Sequence, residues 1–270
     1  MVIKTYNFDG VEISFSTWDH PYLIGDYEFK KGKLDFIKSF LKEGDIVLDI
    51  GSHCGEEAMM YGIAVGKTGS VYAFEPNPSA FKRFQESCQL NSHKVNVVPI
   101  MKAATEEDGK FIFHYSDPFF CNGGFASKTE AGIGACGHSF ELEVEGINLS
   151  NWANTVLKED VEKISFIKID SEGYDYFILK SLVPLISRAR PIIQSEIFVA
   201  LSETEIKRHL DFFDEIGYST YLMSADKQEA LGYCDIFKLR EKPIDSASSR
   251  RLKIIKYGED ILSIPKEKLL

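Results

Sequence analysis

The segment Val47–Gly55 (VLDIGSHCG) decides the fold of this 270-residue chain. Its apolar run contains one acid, Asp49, and glycines follow at positions 51 and 55. A helical pattern begins directly afterwards, so the segment predicts a buried strand, a tight turn and a helix. Glycine tolerates positive φ and lets a ligand approach the backbone, while the amides of a new helix point to the same place. The segment therefore predicts a ligand-binding turn.

A second acid, Glu75, ends the next apolar run, Val71–Phe74, 26 positions after Asp49. Two strands that end in acids, with a helix between them, are typical of a nucleoside-binding βαβ unit. The second acid suits two adjacent ribose hydroxyls, which need an acceptor. A proline follows it and restricts the backbone at this point. The expected ligand contacts are Asp49, Gly51, Gly55, Glu75 and Pro76.

The spacing of the turn is D-x-G-x-x-x-G, and Ser52, His53 and Cys54 fill its middle. A dinucleotide site needs a third glycine for close packing of its helix, so the spacing argues against an NAD-dependent oxidoreductase. It favours a smaller ligand without a diphosphate, such as S-adenosylmethionine. The ammonium group of that ligand needs an acceptor, and Asp49 is one. A tight strand–helix connection without any ligand is the alternative.

Strand and helix patterns alternate along most of the chain. Further strands are predicted at Val95–Ile100, Ile164–Ile169 and Pro191–Glu196, and a closing strand pair at Tyr218–Met223 and Asp235–Leu239. This alternation predicts an α/β fold with a Rossmann-like, doubly wound, mostly parallel sheet and an antiparallel edge.

A single domain, residues 1–270, is the economical interpretation, because no linker or repeat interrupts the chain. Alternating apolar and polar residues on both sides of a long glycine-rich loop predict an inserted β-hairpin. We expect this loop, residues 117–139, to form a lid over the acceptor. The expected parts are an N-terminal hairpin and helix (1–43), a cofactor-binding core (44–223) with the hairpin and lid (105–148), and a C-terminal edge and tail (224–270).

The acidic composition, with a net charge of −10, argues against a nucleic-acid binder, because such domains carry basic surfaces. The basic stretch Arg250–Lys256 predicts a solvated face or a subunit contact, which leaves a homo-oligomer open. Five widely spaced cysteines indicate free thiols in a reducing compartment. Without a signal-peptide pattern or an apolar run long enough to span a membrane, we expect a cytoplasmic protein.

The glycine-rich loop contains Cys121, Cys136 and His138, and these residue types are possible zinc ligands. Their spacing fits no common zinc module, and a fourth ligand is missing unless His114 serves. We therefore expect no metal site.

The segment Lys168–Asp175 (KIDSEGYD) ends the fourth strand, which we expect beside the first at the point where the strand order reverses. Asp170 would then lie near the reactive end of the ligand, where it holds a sulfonium or accepts a proton from a hydroxyl. Glu172 has the same two possible roles, or it is an acid at the start of the next helix. Glu196, at the end of the fifth strand, is a candidate for acceptor binding. The sequence does not rank the three acids as a base.

Four segments in this order resemble the successive motifs of the FkbM family. That family consists of S-adenosylmethionine-dependent methyltransferases, many of which act on hydroxyls of sugars or polyketides. The four segments are Val47–Gly55, Phe74–Pro78, Ile167–Gly173 and Pro191–Glu196.

The resemblance implies roles for individual residues. Asp170 and Glu172 would lie by the active site, and Glu28, before the first strand, resembles a recurrent glutamate of the family. Asp170 is thus a candidate for both the cofactor and the acceptor. The implied cofactor ligands are Glu28, Asp49, Gly51, Gly55, Glu75 and Asp170.

The chain departs from the family pattern at Ser52, His53 and Cys54, where the family usually has a small apolar residue, an asparagine and an aliphatic residue. Ser52 and His53 stay candidates for cofactor contact. His53 could donate a hydrogen bond to the methionine carboxylate. A second departure, Asn148–Ser150, precedes the fourth strand.

The sequence therefore predicts methyl transfer from S-adenosylmethionine to a hydroxyl of a sugar or another small polar metabolite. A non-catalytic nucleoside-binding or scaffold domain on the same fold is the alternative from another class. An RNA or protein methyltransferase is the second alternative. The acidic charge and the absence of an Asn-Pro-Pro-aromatic tetrad argue against nucleic acid as the acceptor.

Overall fold

A computed structural model of the chain describes residues 2–8, 10–17, 31–115, 123–124, 140–227, 235–239, 244 and 259–269. The strands are β1 (Val2–Phe8), β2 (Val11–Thr17), β3 (Ile46–Ile50), β4 (Ser70–Phe74), β5 (Val97–Ile100), β6 (Ala103–Ala104), β7 (Gly109–Tyr115), β8 (Gly123–Gly124), β9 (Phe140–Ile147), β10 (Ile164–Ile169), β11 (Ile192–Ile197), β12 (Tyr218–Lys227), β13 (Asp235–Leu239) and β14 (Glu259–Pro265). The α-helices are α1 (Lys31–Lys38), α2 (Glu56–Val65), α3 (Pro78–Asn91), α4 (Leu149–Val156), α5 (Asp175–Ser181), α6 (Val183–Ala189) and α7 (Glu203–Glu215).

The central sheet has the order β13-β12-β14-β11-β10-β3-β4-β5. Strands β11, β10, β3, β4 and β5 pair in parallel, and β14 pairs antiparallel with both β11 and β12. The predicted α/β fold with a mostly parallel sheet and an antiparallel edge is therefore confirmed. Strand β10 lies beside β3, as expected, and Lys168 stands opposite Asp49.

Helices cover both faces of this sheet because its central strands are apolar on both sides. All five residues of β3 are buried. One face packs against α4 to α7 and the other against α1 to α3 and the β1–β2 hairpin. Of the helices in the described ranges, none combines the length and the apolar character that a bilayer crossing requires.

The inserted hairpin is also confirmed, because β7 and β9 pair antiparallel with Phe113 opposite Leu142. The two-residue strand β8 pairs with the end of β7. The rest of the expected lid, with Cys121, Cys136 and His138, lies outside the described residues.

One expectation about the helices is corrected. The single helix expected over 174–185 is two helices, since Pro184 lies in the first turn of α6 and has no N–H for a continuing helix. The expected strand pair β12–β13 forms at the antiparallel edge of the sheet. The sequence pattern left the final segment unassigned, and the structure places β14 there, between β11 and β12. Ile261, Leu262 and Ser263 of β14 are fully buried.

We expect Leu262→Ala to lower the free energy of unfolding by roughly 2–5 kcal/mol, because it leaves a cavity in the middle of the sheet. Leu269→Ala is the matched control, since Leu269 is 45% exposed and its truncation should change stability by less than about 0.5 kcal/mol. Urea denaturation of both variants measures the difference. Equal stabilities would contradict the central position of β14.

Candidate active site

The carboxyl edge of the sheet, where β3, β4, β10 and β11 end, collects most of the acids that the sequence singled out. Strand β14 runs in the opposite direction, so its beginning lies at the same edge. The fold thereby adds Asp260, which stands opposite Glu196. Glu28 lies outside the described residues. The predicted acids brought to this edge are Asp49, Glu75, Asp170, Glu172 and Glu196.

The turn after β3 needs glycine at position 51 for a steric reason. Gly51 has φ of 77°, and a Cβ atom there would lie 1.8 Å from the carbonyl oxygen of Asp170. The amides of Gly51 and Ser52 both donate to the carbonyl of Phe74 at 3.0 Å. The Ser52 hydroxyl donates to the carbonyl of Asp49 at 2.8 Å. This part of the turn is thus held by the chain itself.

The second glycine of the turn has a packing role. Gly55 has φ of 87°, and a Cβ atom there would lie 2.1 Å from the ring of Phe84 on α3. The glycine is therefore required by the contact between the turn and α3, whether or not a ligand is bound. Its amide donates to the carbonyl of Ser52 at 2.7 Å.

Asp49 is fully buried at the end of β3. Within the described part of the chain, neither oxygen of its carboxylate has a hydrogen-bond partner. Burial raises the pKa of this carboxyl above its usual range. Buried polar atoms are nearly always hydrogen-bonded, so an orphaned carboxylate at a strand end points to a donor supplied by a ligand.

Lys168 is a site residue that sequence reasoning missed. Its ammonium group is buried 3.1 Å from Asp170 Oδ2, 3.2 Å from the Gly51 carbonyl oxygen and 3.9 Å from Asp49 Oδ1. Burial lowers the pKa of this lysine, but the charges of Asp170 and Asp49 more than offset burial, so the pKa lies above its usual range. The signal in the sequence was a lysine within a predominantly apolar strand, one residue before the predicted Ile169–Asp170 end.

Glu75 is buried and oriented by two backbone amides. The amide of His53 donates to Oε2 and that of Asn77 to Oε1, each at 2.8 Å. His53 has φ of 48°, which is uncommon for a residue other than glycine. Burial raises the pKa of the Glu75 carboxyl. Each carboxylate oxygen keeps a lone pair, so Glu75 can still accept from a ligand hydroxyl. Pro76, half-buried, connects this acid to the capping residue of α3.

Asp175 ties the loop after β10 to β11. Its Oδ2 accepts from the Ser171 hydroxyl at 2.7 Å, and its Oδ1 accepts from the amide of Glu196 at 3.2 Å. Burial raises the pKa of Asp175 to about 7. This acid therefore positions the loop that carries Asp170 and Glu172.

We name Asp170, Glu172, Glu196 and Asp260 the acceptor acids. Burial, reinforced by Asp170 and Asp175, raises the pKa of Glu172 to about 8. Burial and the neighbouring acids raise the pKa of Glu196 to about 10. Glu196 Oε2 is buried without a hydrogen-bond partner among the described residues. The backbone of Glu172 is in the left-handed region, with φ of 54°.

Two further charged groups complete this region and were not predicted. Asp260 accepts a hydrogen bond from Gln194 Nε2 at 3.1 Å. Lys33, on α1, forms an ion pair with Glu57 on α2. Burial lowers the pKa of Lys33 to about 8. Neither residue lies in a sequence motif that predicts a site, because only the packing of α1 and β14 in the folded chain brings the two residues to this region.

Three potential metal ligands meet in the turn after β3. His53, Cys54 and Glu56 offer ligand atoms within 4.8 Å of one another. Zinc accepts all three ligand types, and structural zinc sites take four ligands. The absence of a metal site stays a prediction.

Comparisons with known proteins agree on the chemistry. The family model described as the Methyltransferase FkbM domain matches residues 49–220. The chain is 25% identical over 204 residues to hexuronic acid methyltransferase AglP of Haloferax volcanii, a match that covers 74% of this chain and 75% of that protein.

Two solved structures are also similar. Methyltransferase FkbM from Methylobacillus flagellatus KT has 13% identity and a TM-score of 0.46, with 86% of this chain and 51% of that chain covered. Precorrin-6y C5,15-methyltransferase from Geobacter metallireducens GS-15 has 14% identity and a TM-score of 0.46, with 93% and 94% covered.

The carboxyl edge fits S-adenosylmethionine on structural grounds. Asp49 has orphaned oxygens that an ammonium group would satisfy, and the acids around Lys168 outnumber its one charge, which suits a sulfonium cation. The family model covers well over half of the chain. The protein therefore belongs to the FkbM family of methyltransferases and uses S-adenosylmethionine as its cofactor.

Proposed function

We propose that this protein methylates a hydroxyl oxygen of a sugar or another small polar metabolite. The observation that carries the proposal is Glu172, a partly buried carboxyl at the carboxyl edge with a pKa raised to about 8. A hydroxyl acceptor must lose its proton, and a base that titrates near the working pH does this best. The similarity to hexuronic acid methyltransferase AglP supports a sugar as the acceptor.

The cofactor half of the proposed site lies at the ends of β3 and β4. Bound S-adenosylmethionine supplies a methyl group on a positively charged sulfur, ready for in-line displacement. Asp49 would accept from its ammonium group, and Glu75 from its ribose hydroxyls. The amides of Gly51, Ser52 and Gly55 are engaged within the chain. The His53 imidazole, in the same turn, is the donor that we propose for the methionine carboxylate.

The acceptor half lies at the ends of β10 and β11, where the pKa values separate the roles of the acids. Glu196, with a pKa of about 10, is protonated at neutral pH and can donate a hydrogen bond to the acceptor. Asp170 is held by Lys168 at 3.1 Å and would face the cofactor sulfonium. Glu172 then remains as the proposed base.

A cytoplasmic location and a homo-oligomer also remain proposals. Cys88 is a buried free thiol, and free thiols are typical of a reducing compartment.

The proposed reaction is tested by incubating the protein with S-adenosylmethionine and a panel of glycosides. Mass spectrometry should detect a mass increase of one methyl group, and NMR should place the new methyl on oxygen. Cofactor binding without turnover on any acceptor would favour the scaffold alternative. Turnover on RNA or on a protein instead would replace the proposed acceptor class.

We expect Glu75→Ala to weaken binding of S-adenosylhomocysteine by roughly 10-fold to 100-fold, because buried ribose hydroxyls lose a charged acceptor. Calorimetric titration measures the dissociation constant. The matched control is Glu86→Ala on α3, where the acid pairs with Arg83. Thermal unfolding without ligand shows whether either variant is folded. Unchanged affinity in Glu75→Ala would refute the role of Glu75.

The rate on the acceptor should rise with pH through about 8, because Glu172 must be deprotonated to accept the hydroxyl proton. Glu172→Gln should lower kcat by roughly 100-fold or more and remove this pH dependence. Glu196→Gln is the comparison, since it mimics a carboxyl that is already protonated and should keep the pH profile. A pH profile that survives in Glu172→Gln would exclude Glu172 as the base.

A further inference from the structure

We propose that the acceptor ring carries no negative charge, so the site selects an uncharged or amino-bearing sugar over a uronate. This inference rests on the proposed function and adds the charge class of its acceptor. It separates this chain from hexuronic acid methyltransferase AglP, whose name specifies an acidic sugar.

The first observation is the sign of the charges at the acceptor half of the site. Asp170, Glu172 and Asp260 all lie close enough to Glu196 to raise the pKa of its carboxyl, and Asp175 adds to them. Of the four acceptor acids, Asp170 and Glu172 come from the loop after β10, Glu196 comes from β11 and Asp260 comes from the neighbouring strand β14. A ligand at this position therefore meets carboxyl groups on several sides.

The second observation is that the neighbouring cations of the described ranges are already engaged. The single charge of Lys168 is shared between Asp170 at 3.1 Å and Asp49 at 3.9 Å. Asp49 is fully buried, and at 3.9 Å Lys168 gives it an ion pair but no hydrogen bond, so this one cation does not fully satisfy the two acids beside it. Lys33 is paired with Glu57.

The chemistry of the acceptor follows from these charges. Sugar hydroxyls can pair with a protonated carboxyl as well as with a carboxylate, and Glu196 Oε2 has no hydrogen-bond partner among the described residues. A uronate would add a negative charge to a region where burial and the neighbouring acids already raise the pKa values of Glu172 and Glu196 and so already oppose negative charge. The site thus favours an acceptor with donors and disfavours one with a carboxylate.

The experiment uses pairs of methyl glycosides that differ only at carbon 6, which is a hydroxymethyl group in one and a carboxylate in the other. The gluco, galacto and manno pairs, with the matching 2-amino sugars, are assayed with the 270-residue protein by release of S-adenosylhomocysteine. We expect kcat/KM for the uncharged or amino-bearing sugar to exceed that for the uronate at least tenfold in every productive pair.

Preference for the uronate would overturn this inference and leave the proposed methylation of sugars intact. No turnover on any pair, with S-adenosylhomocysteine still bound, would overturn both. These two failures are therefore distinguishable.

A charge variant tests the cause of the selectivity. Asp260→Asn removes one acceptor acid outside the proposed base and should move the ratio of the two kcat/KM values towards the uronate by about threefold to tenfold. Glu215→Gln makes the same change of net charge at the exposed end of α7, which leads back to the opposite edge of the sheet. It should leave the ratio unchanged. An unchanged ratio in Asp260→Asn would show that these charges do not select the acceptor.

Discussion

Burial of the Asp49 carboxylate is the constraint on which the site depends. An ionised carboxylate inside a sheet is unfavourable unless a partner satisfies it. The fold compensates the charge of Asp49 in part, because Lys168 stands opposite Asp49 on the neighbouring strand and its ammonium nitrogen lies 3.9 Å from Oδ1. Gln194 stands opposite Lys168 on the next strand. A row of polar side chains thus crosses three adjacent strands of the central sheet and leaves Asp49 to be completed by a ligand.

Close contacts and hydrogen bonds hold the parts of the carboxyl edge in fixed relation. The carbonyl of Asp170 lies where a side chain at position 51 would be, so the turn after β3 and the loop after β10 pack directly against each other. The Asp175 carboxylate then links that loop to β11 through the amide of Glu196. These contacts fix the ends of β3, β10 and β11 relative to one another.

The parts that were predictable are those encoded locally. The apolar runs ending near Asp49 and Glu75 identified adjacent parallel strands, because buried strands and glycine turns have short-range signals. Strand β14 had no such signal, since its position depends on pairing with two distant strands. Asp260 and Lys33 were missed for the same reason. Gly55 was expected to serve a ligand, but its contact with Phe84 could be seen only after α3 was placed.

The position of β14 has a consequence for how the chain reaches its native state. Strands β11 and β12 come earlier in the chain but are separated in the sheet by residues 259–265. During synthesis on a ribosome, β11 and β12 therefore each keep one edge without its hydrogen-bonded neighbour until β14 emerges. Asp260 arrives in the same step, so the acceptor half gains its final carboxylate only when the sheet is complete. Closure of the sheet and assembly of the site are then one late, non-local event.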